Sequence, residues 1–440
     1  MGANHSHGTT APPTPASRRT LVATLAVIVP VALATVAALI GLWPGDGRPD
    51  GPSSPSLRQV DGTVTEIVPK PCPAVPGEQA ARPAADPGSC ADVRVRITSG
   101  PDEGRSVTTE LPTGPGAQRF AAGDDVVLVH VPDGALDAPE YLLSDHDRSS
   151  PLWLFVAAFA LAVVAFGRWR GLTALIGLAV TFVLLLTFVV PAILAGEPPA
   201  LVAITGSAAI MLAVLYLTHG FTITTSMAVL GTLVSLALTG LLSAFAIDAA
   251  HLTGVTDDSS FLLDGNYRIN GQGLLLAGII IGALGVLDDV TVTQAATVRE
   301  LATANPGYDF GRLYRAAARV GRAHIASVIN TIVLAYAGAA LPLLLLFSVG
   351  DQPLDDVLRN PVLAQEIIRS VVGTLGLITA VPVTTALAAL AAPRQRSGEK
   401  PAERRRRRGA VWDDPDESTE SHWPAGFGTE KDWPADRRIR

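Results

Sequence analysis

The sequence predicts an all-α polytopic membrane bundle of about eight transmembrane helices, with N- and C-termini both cytoplasmic. One small exported β-rich, OB-like barrel domain is expected between helices 1 and 2. Three observations predict this class. The 440 residues have a mean hydropathy of +0.36 and only 17% charged side chains, a balance foreign to water-soluble chains of this size. Eight apolar runs are long enough to cross a hydrocarbon core of about 30 Å, which takes roughly 20 helical residues. Arginines collect in alternate loops, as topology requires.

Residues 1–20 read as a cytoplasmic leader ending in Arg18-Arg19. The run 21–43 is longer than a signal-peptide core and shows no small-x-small cleavage site before Trp43-Pro44, so a retained membrane anchor is expected. Residues 57–147 then alternate as strands do: "GTVTEIV", "DVRVRIT", "RSVTTEL", "DVVLVHV" and "YLLS", separated by turn residues such as Ser99-Gly100-Pro101. Cys72 and Cys90, the only cysteines, flank a Pro-rich insert in this segment. Export would favour a disulfide between them, and two thiols or a zinc half-site are the alternatives.

A seven-helix membrane domain is expected over 152–392, with spans at 152–167, 171–193, 199–218, 221–247, 272–296, 323–348 and 364–392. The stretch 199–247 would be on the order of 70 Å long as one helix, over twice the core thickness. It must fold back, and Thr218-His219-Gly220 is the polar, flexible break at its middle. Short loops on one side hold Arg168, Arg170, Arg299, Arg312, Arg315, Arg319 and Arg322, whereas the other side is rich in aspartate. The arginine side is expected to be cytoplasmic. The tail 393–440 is polar and expected to be disordered. Its run Arg404, Arg405, Arg406, Arg407 and Arg408 is expected to meet anionic lipid headgroups, at about 1 kcal/mol per residue. A topology anchor is the other reading.

The stretch "GALGVLDDVTVTQAATV" places Asp288 and Asp289 at the end of an uncharged apolar run. Gly278, Gly282, Gly285, Asp289 and Thr293 are spaced to share one helical face, and small residues there predict a close helix–helix contact. Asp288 lies about 100° round the helix. With a helix end near Thr297, Asp289 would sit on the order of 12 Å inside it, at the depth of Asn330 and Thr331 on the next span. His219 would stand at the same side. Intramembrane carboxylates mark ion or proton pathways, and burial disfavours their charged form. These residues therefore form the expected substrate or proton pathway, unless the aspartates merely cap the helix near the interface.

The chain offers no HExxH, GxSxG or phosphate-binding glycine loop, so an enzyme is the least favoured class. No residue set calls for a metal or cofactor. Nucleic-acid binding lacks support, because the arginine-rich stretches flank spans.

The stretches "TSGPDEGRSVTTELP", "YLLSDHDR", "AIMLAVLYLTHGF", "GIIIGALGVLDDVTVTQAATVRELATANP" and "INTIVLAYAGAALPLLLLF" together resemble the YibE/F-like membrane protein family over roughly residues 57–392. In that family's pattern one aspartate precedes valine, which corresponds to Asp289 and leaves Asp288 as the departure. A looser likeness to half of a resistance–nodulation–division transporter is a fold-level analogy. The expected function is a plasma-membrane transporter of a small solute, proton-coupled through Asp289. The alternative is a non-transporting assembly or quality-control factor whose exported domain docks an envelope protein partner. The oligomeric state is left open.

Overall fold

The computed structural model describes residues 18–45, 58–70, 90–112, 117–131, 139–349 and 353–392. Cys72, Arg404–Arg408 and the expectations placed on the disulfide and the tail lie outside the described residues. Cys90 is buried just before β2.

All five expected strands form: β1 (Arg58–Pro69), β2 (Ala91–Ile97), β3 (Ser106–Glu110), β4 (Asp125–His130) and β5 (Tyr141–His146). They make one antiparallel sheet in the order β3-β2-β1-β4-β5. Alternation puts Val60, Val64, Val93, Val95, Val126, Leu128 and Leu143 on a single buried face. The sheet curls, and side chains tie its two outer strands together. Arg105 pairs with Glu140 at 2.8 Å, and the Tyr141 hydroxyl donates to Asp102. Burial, then this carboxylate, push the Tyr141 hydroxyl up to about 12.

The helices are α1 (Arg18–Gly41), α2 (Ser149–Leu194), α3 (Pro199–His219), α4 (Ile223–Ala249), α5 (Asp258–Tyr267), α6 (Gly271–Ala304), α7 (Phe310–Ala339), α8 (Leu341–Val349), α9 (Leu354–Arg359) and α10 (Pro361–Ala391). Seven of these, against eight expected spans, are long and apolar enough to cross a membrane. The difference lies in α2, which joins the expected spans 152–167 and 171–193. Its backbone breaks at Arg168 (φ 52°, ψ −130°), inside the expected loop. A Cβ on Gly171 would collide with the Val163 carbonyl. A straight helix holds residues eight apart about 12 Å from each other, so the chain bends sharply here.

Two further boundaries depart from expectation. The span expected over 323–348 is divided, because α7 ends at Ala339 and α8 begins at Leu341. Pro342 has no N–H to continue the ladder. Helix α6 runs on to Ala304 rather than ending near Thr297; no glycine or proline lies between Gly285 and Pro306. The hairpin between α3 and α4 forms as expected. Gly220 takes φ 73°, which glycine adopts without a Cβ penalty, and Thr222 caps α4 by accepting from the Thr225 N–H at 3.1 Å.

Helix α4 is the spine of the bundle. It packs antiparallel to α10 so tightly that a Cβ on Gly231 would strike Thr384, and one on Gly376 would strike Thr239. It also runs antiparallel to α6, where the Thr232 and Thr291 hydroxyls share a hydrogen bond. Gly240 lies opposite Ile280 in the same pair. These contacts use small residues and hydroxyls to bring backbones together, as helices in lipid do.

Candidate functional site

The candidate site is the arginine-rich end of α6 and its neighbours. Pro199 touches Gly273, with its Cδ 3.4 Å from where a Cβ would be, so α3 and α6 start at one level. Helix α3 has 21 residues, about 31 Å, which matches the hydrocarbon core. Both helices run the same way, since each is antiparallel to α4. Asp289 therefore lies about 6 Å short of the level at which α3 ends. It belongs to the membrane-spanning part of α6, in the last turn or so.

Gly278, Gly282, Gly285, Asp289 and Thr293 do share one face of α6, but that face is exposed. A Cβ on Gly278 or Gly285 would meet nothing within 4 Å, and one on Gly282 would have only the Tyr336 hydroxyl at 4.0 Å. Among the described residues, the expected close contact is thus absent from this face. The buried side of α6 is the opposite one, carrying Leu284, Leu287, Thr291, Gln294 and Val298. The reason is competition for α4, which α6 meets through Thr291 and Ile280.

Asp289 is exposed and Asp288 is partly buried. Among the described residues, no side-chain hydrogen bond or ion pair holds the Asp289 carboxylate. The expected meeting of Asp289 with Asn330 and Thr331 does not occur. Helix α7 turns Ile325, Val328, Ile329 and Ile332 to the core, which leaves Asn330 and Thr331 on its open side. The Thr331 hydroxyl donates to the Ser327 carbonyl of its own helix at 3.2 Å. His219 is a turn residue, its Nδ1 2.8 Å from the Thr218 hydroxyl, with Arg170 within electrostatic reach.

Two polar groups escaped the sequence reading. Gln294 is only 4% exposed, and its Nε2 donates to the Ala317 carbonyl at 3.0 Å and to the Thr385 hydroxyl at 2.7 Å. One amide thereby fastens α6, α7 and α10. Its signal was a lone glutamine on the face opposite the glycines. On α10, Arg369 pairs with Glu366 at 2.8 Å, and Tyr336 lies within electrostatic reach of both. These charges fell inside the expected span 364–392. Among the described residues, no group of three or more histidine, cysteine, aspartate or glutamate side chains could hold a metal ion.

Comparison with protein families matches residues 155–394 to the model described as YibE/F-like protein. The matched region holds the membrane helices from α2 onward and leaves out the sheet. No curated protein and no solved structure matches the chain.

Proposed function

We propose that this chain, which belongs to the YibE/F-like protein family, is a multi-pass membrane transporter of a small solute in which Asp289 carries a coupling proton. The observation that carries this reading is the placement of Asp289. Among the described residues it stands unpaired on an open face of small residues, within the part of α6 that spans the core. A carboxylate there costs up to roughly 2.5–3.5 kcal/mol on insertion scales, so such residues serve proton and ion pathways more often than structure. Asp288 has a lesser role, since it turns aside from that face and is half covered.

The orientation that fits is the one with the arginine-rich end of the bundle inside the cell and the sheet outside. Arg299 near the end of α6 and Arg312, Arg315, Arg319 and Arg322 in the first half of α7 gather at that end, as the positive-inside bias requires.

Dicyclohexylcarbodiimide tests the proton-carrying role, because it modifies protonated carboxyls in apolar surroundings. In proteoliposomes of the full chain, Asp289 should be modified. Asp289→Asn should lose this modification and Asp288→Asn should keep it. An unmodified Asp289, with wild-type growth and expression of Asp289→Asn, would remove the proton-coupled reading.

A further inference from the structure

Two faces of the bundle stay open over the same part of its height, and their hydrogen-bonding characters are opposite. The open face of α6 offers an acceptor, the Asp289 carboxylate, amid Gly278, Gly282 and Gly285. The open face of α7 offers two donors, Ser327 and Asn330; both are exposed, as is Thr331 beside them, and their spacing places them on one side of the helix. Among the described residues, neither the Ser327 hydroxyl nor the Asn330 amide has a side-chain hydrogen-bond partner.

The heights follow from contacts between the two antiparallel helices. Gln294 reaches the Ala317 carbonyl at 3.0 Å, and a Cβ on Gly321 would lie 2.7 Å from Gln294 Oε1. Residue 294 is therefore beside residues 317–321. At 1.5 Å per residue Asp289 comes level with about residue 324, and Ser327 and Asn330 stand roughly 4–9 Å further along. Side chains lean toward the N-terminus of their own helix. In an antiparallel pair that leans Asp289 and Asn330 toward each other's level.

Within one chain these faces cannot meet, because α7 presents its Ile325, Val328 and Ile332 side to the bundle. A second chain inserted in the same direction and rotated about the membrane normal keeps every residue at its height. We propose that the open face of α6 is packed by the open face of α7 from a second copy of this chain, with Ser327 and Asn330 of that copy donating to Asp289. Lipid tails in this place would leave the carboxylate without a donor. The glycines let the second backbone approach closely, as Gly231, Gly321 and Gly376 do inside the bundle. The contact joins different surfaces on the two copies, so it closes a ring rather than a back-to-back pair. It stands whether or not the assembly carries a solute.

Directional cross-linking tests it. Gly285→Cys and Ser327→Cys are made singly in the full chain, given different tags, expressed together and oxidised in native membranes. Gly285 has open space around its Cβ position, so folding is not at stake. The expected product is a mixed-tag dimer between the two variants, absent from the wild-type chain and reduced when Asn330→Leu is added. No mixed dimer, or Gly285→Cys joining to itself as readily as to Ser327→Cys, would overturn the proposal.

Discussion

At the residue scale, the polar side chains of the membrane domain divide by whether their hydrogen bonds are met inside the chain. Gln294 is met, with both its donors spent on Ala317 and Thr385. Gln294→Met keeps the length and removes the amide, leaving a buried carbonyl short of its donor. We expect a loss of about 1–3 kcal/mol, read as a lower unfolding temperature in detergent. Asp289 is unmet among the described residues of the chain, so in the single chain Asp289→Asn should leave that temperature unchanged or raise it, since removing an unpaired charge removes a cost. In the sheet, hydrogen bonds from Arg148 and Gln118 hold the Asp145 carboxyl down at about 2, against an unfolded value of about 3.9. A depressed pKa contributes stability that is full above the unfolded value and lost as pH falls through the folded one. Asp145→Asn should therefore destabilise the sheet at neutral pH, and its gap from wild type should close between about pH 4 and about pH 2.

At the element scale, the glycines have two opposite uses. Those of α4 and α10 are filled contacts, because Gly231 and Gly376 each back onto a threonine of the other helix. Gly231→Val or Gly376→Val must push these helices apart, and overpacking of this kind costs about 1–3 kcal/mol. Gly278 faces open space. Gly278→Val should leave the thermal stability of the single chain within about 0.5 kcal/mol of wild type, while lowering the yield of the mixed-tag dimer. A common loss of stability in all three variants would show that the α6 face is packed within one chain. The elements themselves were largely legible in the sequence. Five strands showed in their alternation, and the α3–α4 hairpin in its length and its Thr-His-Gly break. The end of α6 was not. Its apolar run stops near Asp288, yet tertiary contacts at Thr291, Gln294 and Val298 keep the helix going.

At the scale of the whole molecule, topology is the property that everything else depends on. Ser259 lies in the segment joining α4 to α6, and Ala304 ends α6 at the arginine-rich end; both are exposed. With that end inside the cell, a cysteine at Ser259 should react with an impermeant maleimide in intact cells, and one at Ala304 should react only after lysis. The reverse pattern would invert the molecule. The length of α6 bears on this picture. Its 34 residues measure about 51 Å, some 20 Å more than the core. Helices α6 and α7 together therefore extend past the membrane on the arginine side, with Gln294 near the level where α3 ends.

The sequence by itself determined that the chain is a membrane protein of many spans, where most helices and strands begin, and which residues of α6 share a face. It could not decide which face of α6 turns inward. In water the apolar face of a helix must be the buried one, so periodicity reveals the interior. In lipid no such force separates the two sides, and contact is chosen by packing and hydrogen bonds between helices. Gly278, Gly282 and Gly285 and the opposing Leu284, Leu287 and Gln294 were both plausible contact faces on that ground. Only the packing of α4, α7 and α10 against Thr291 and Gln294 put the second inside and left Asp289 on the first.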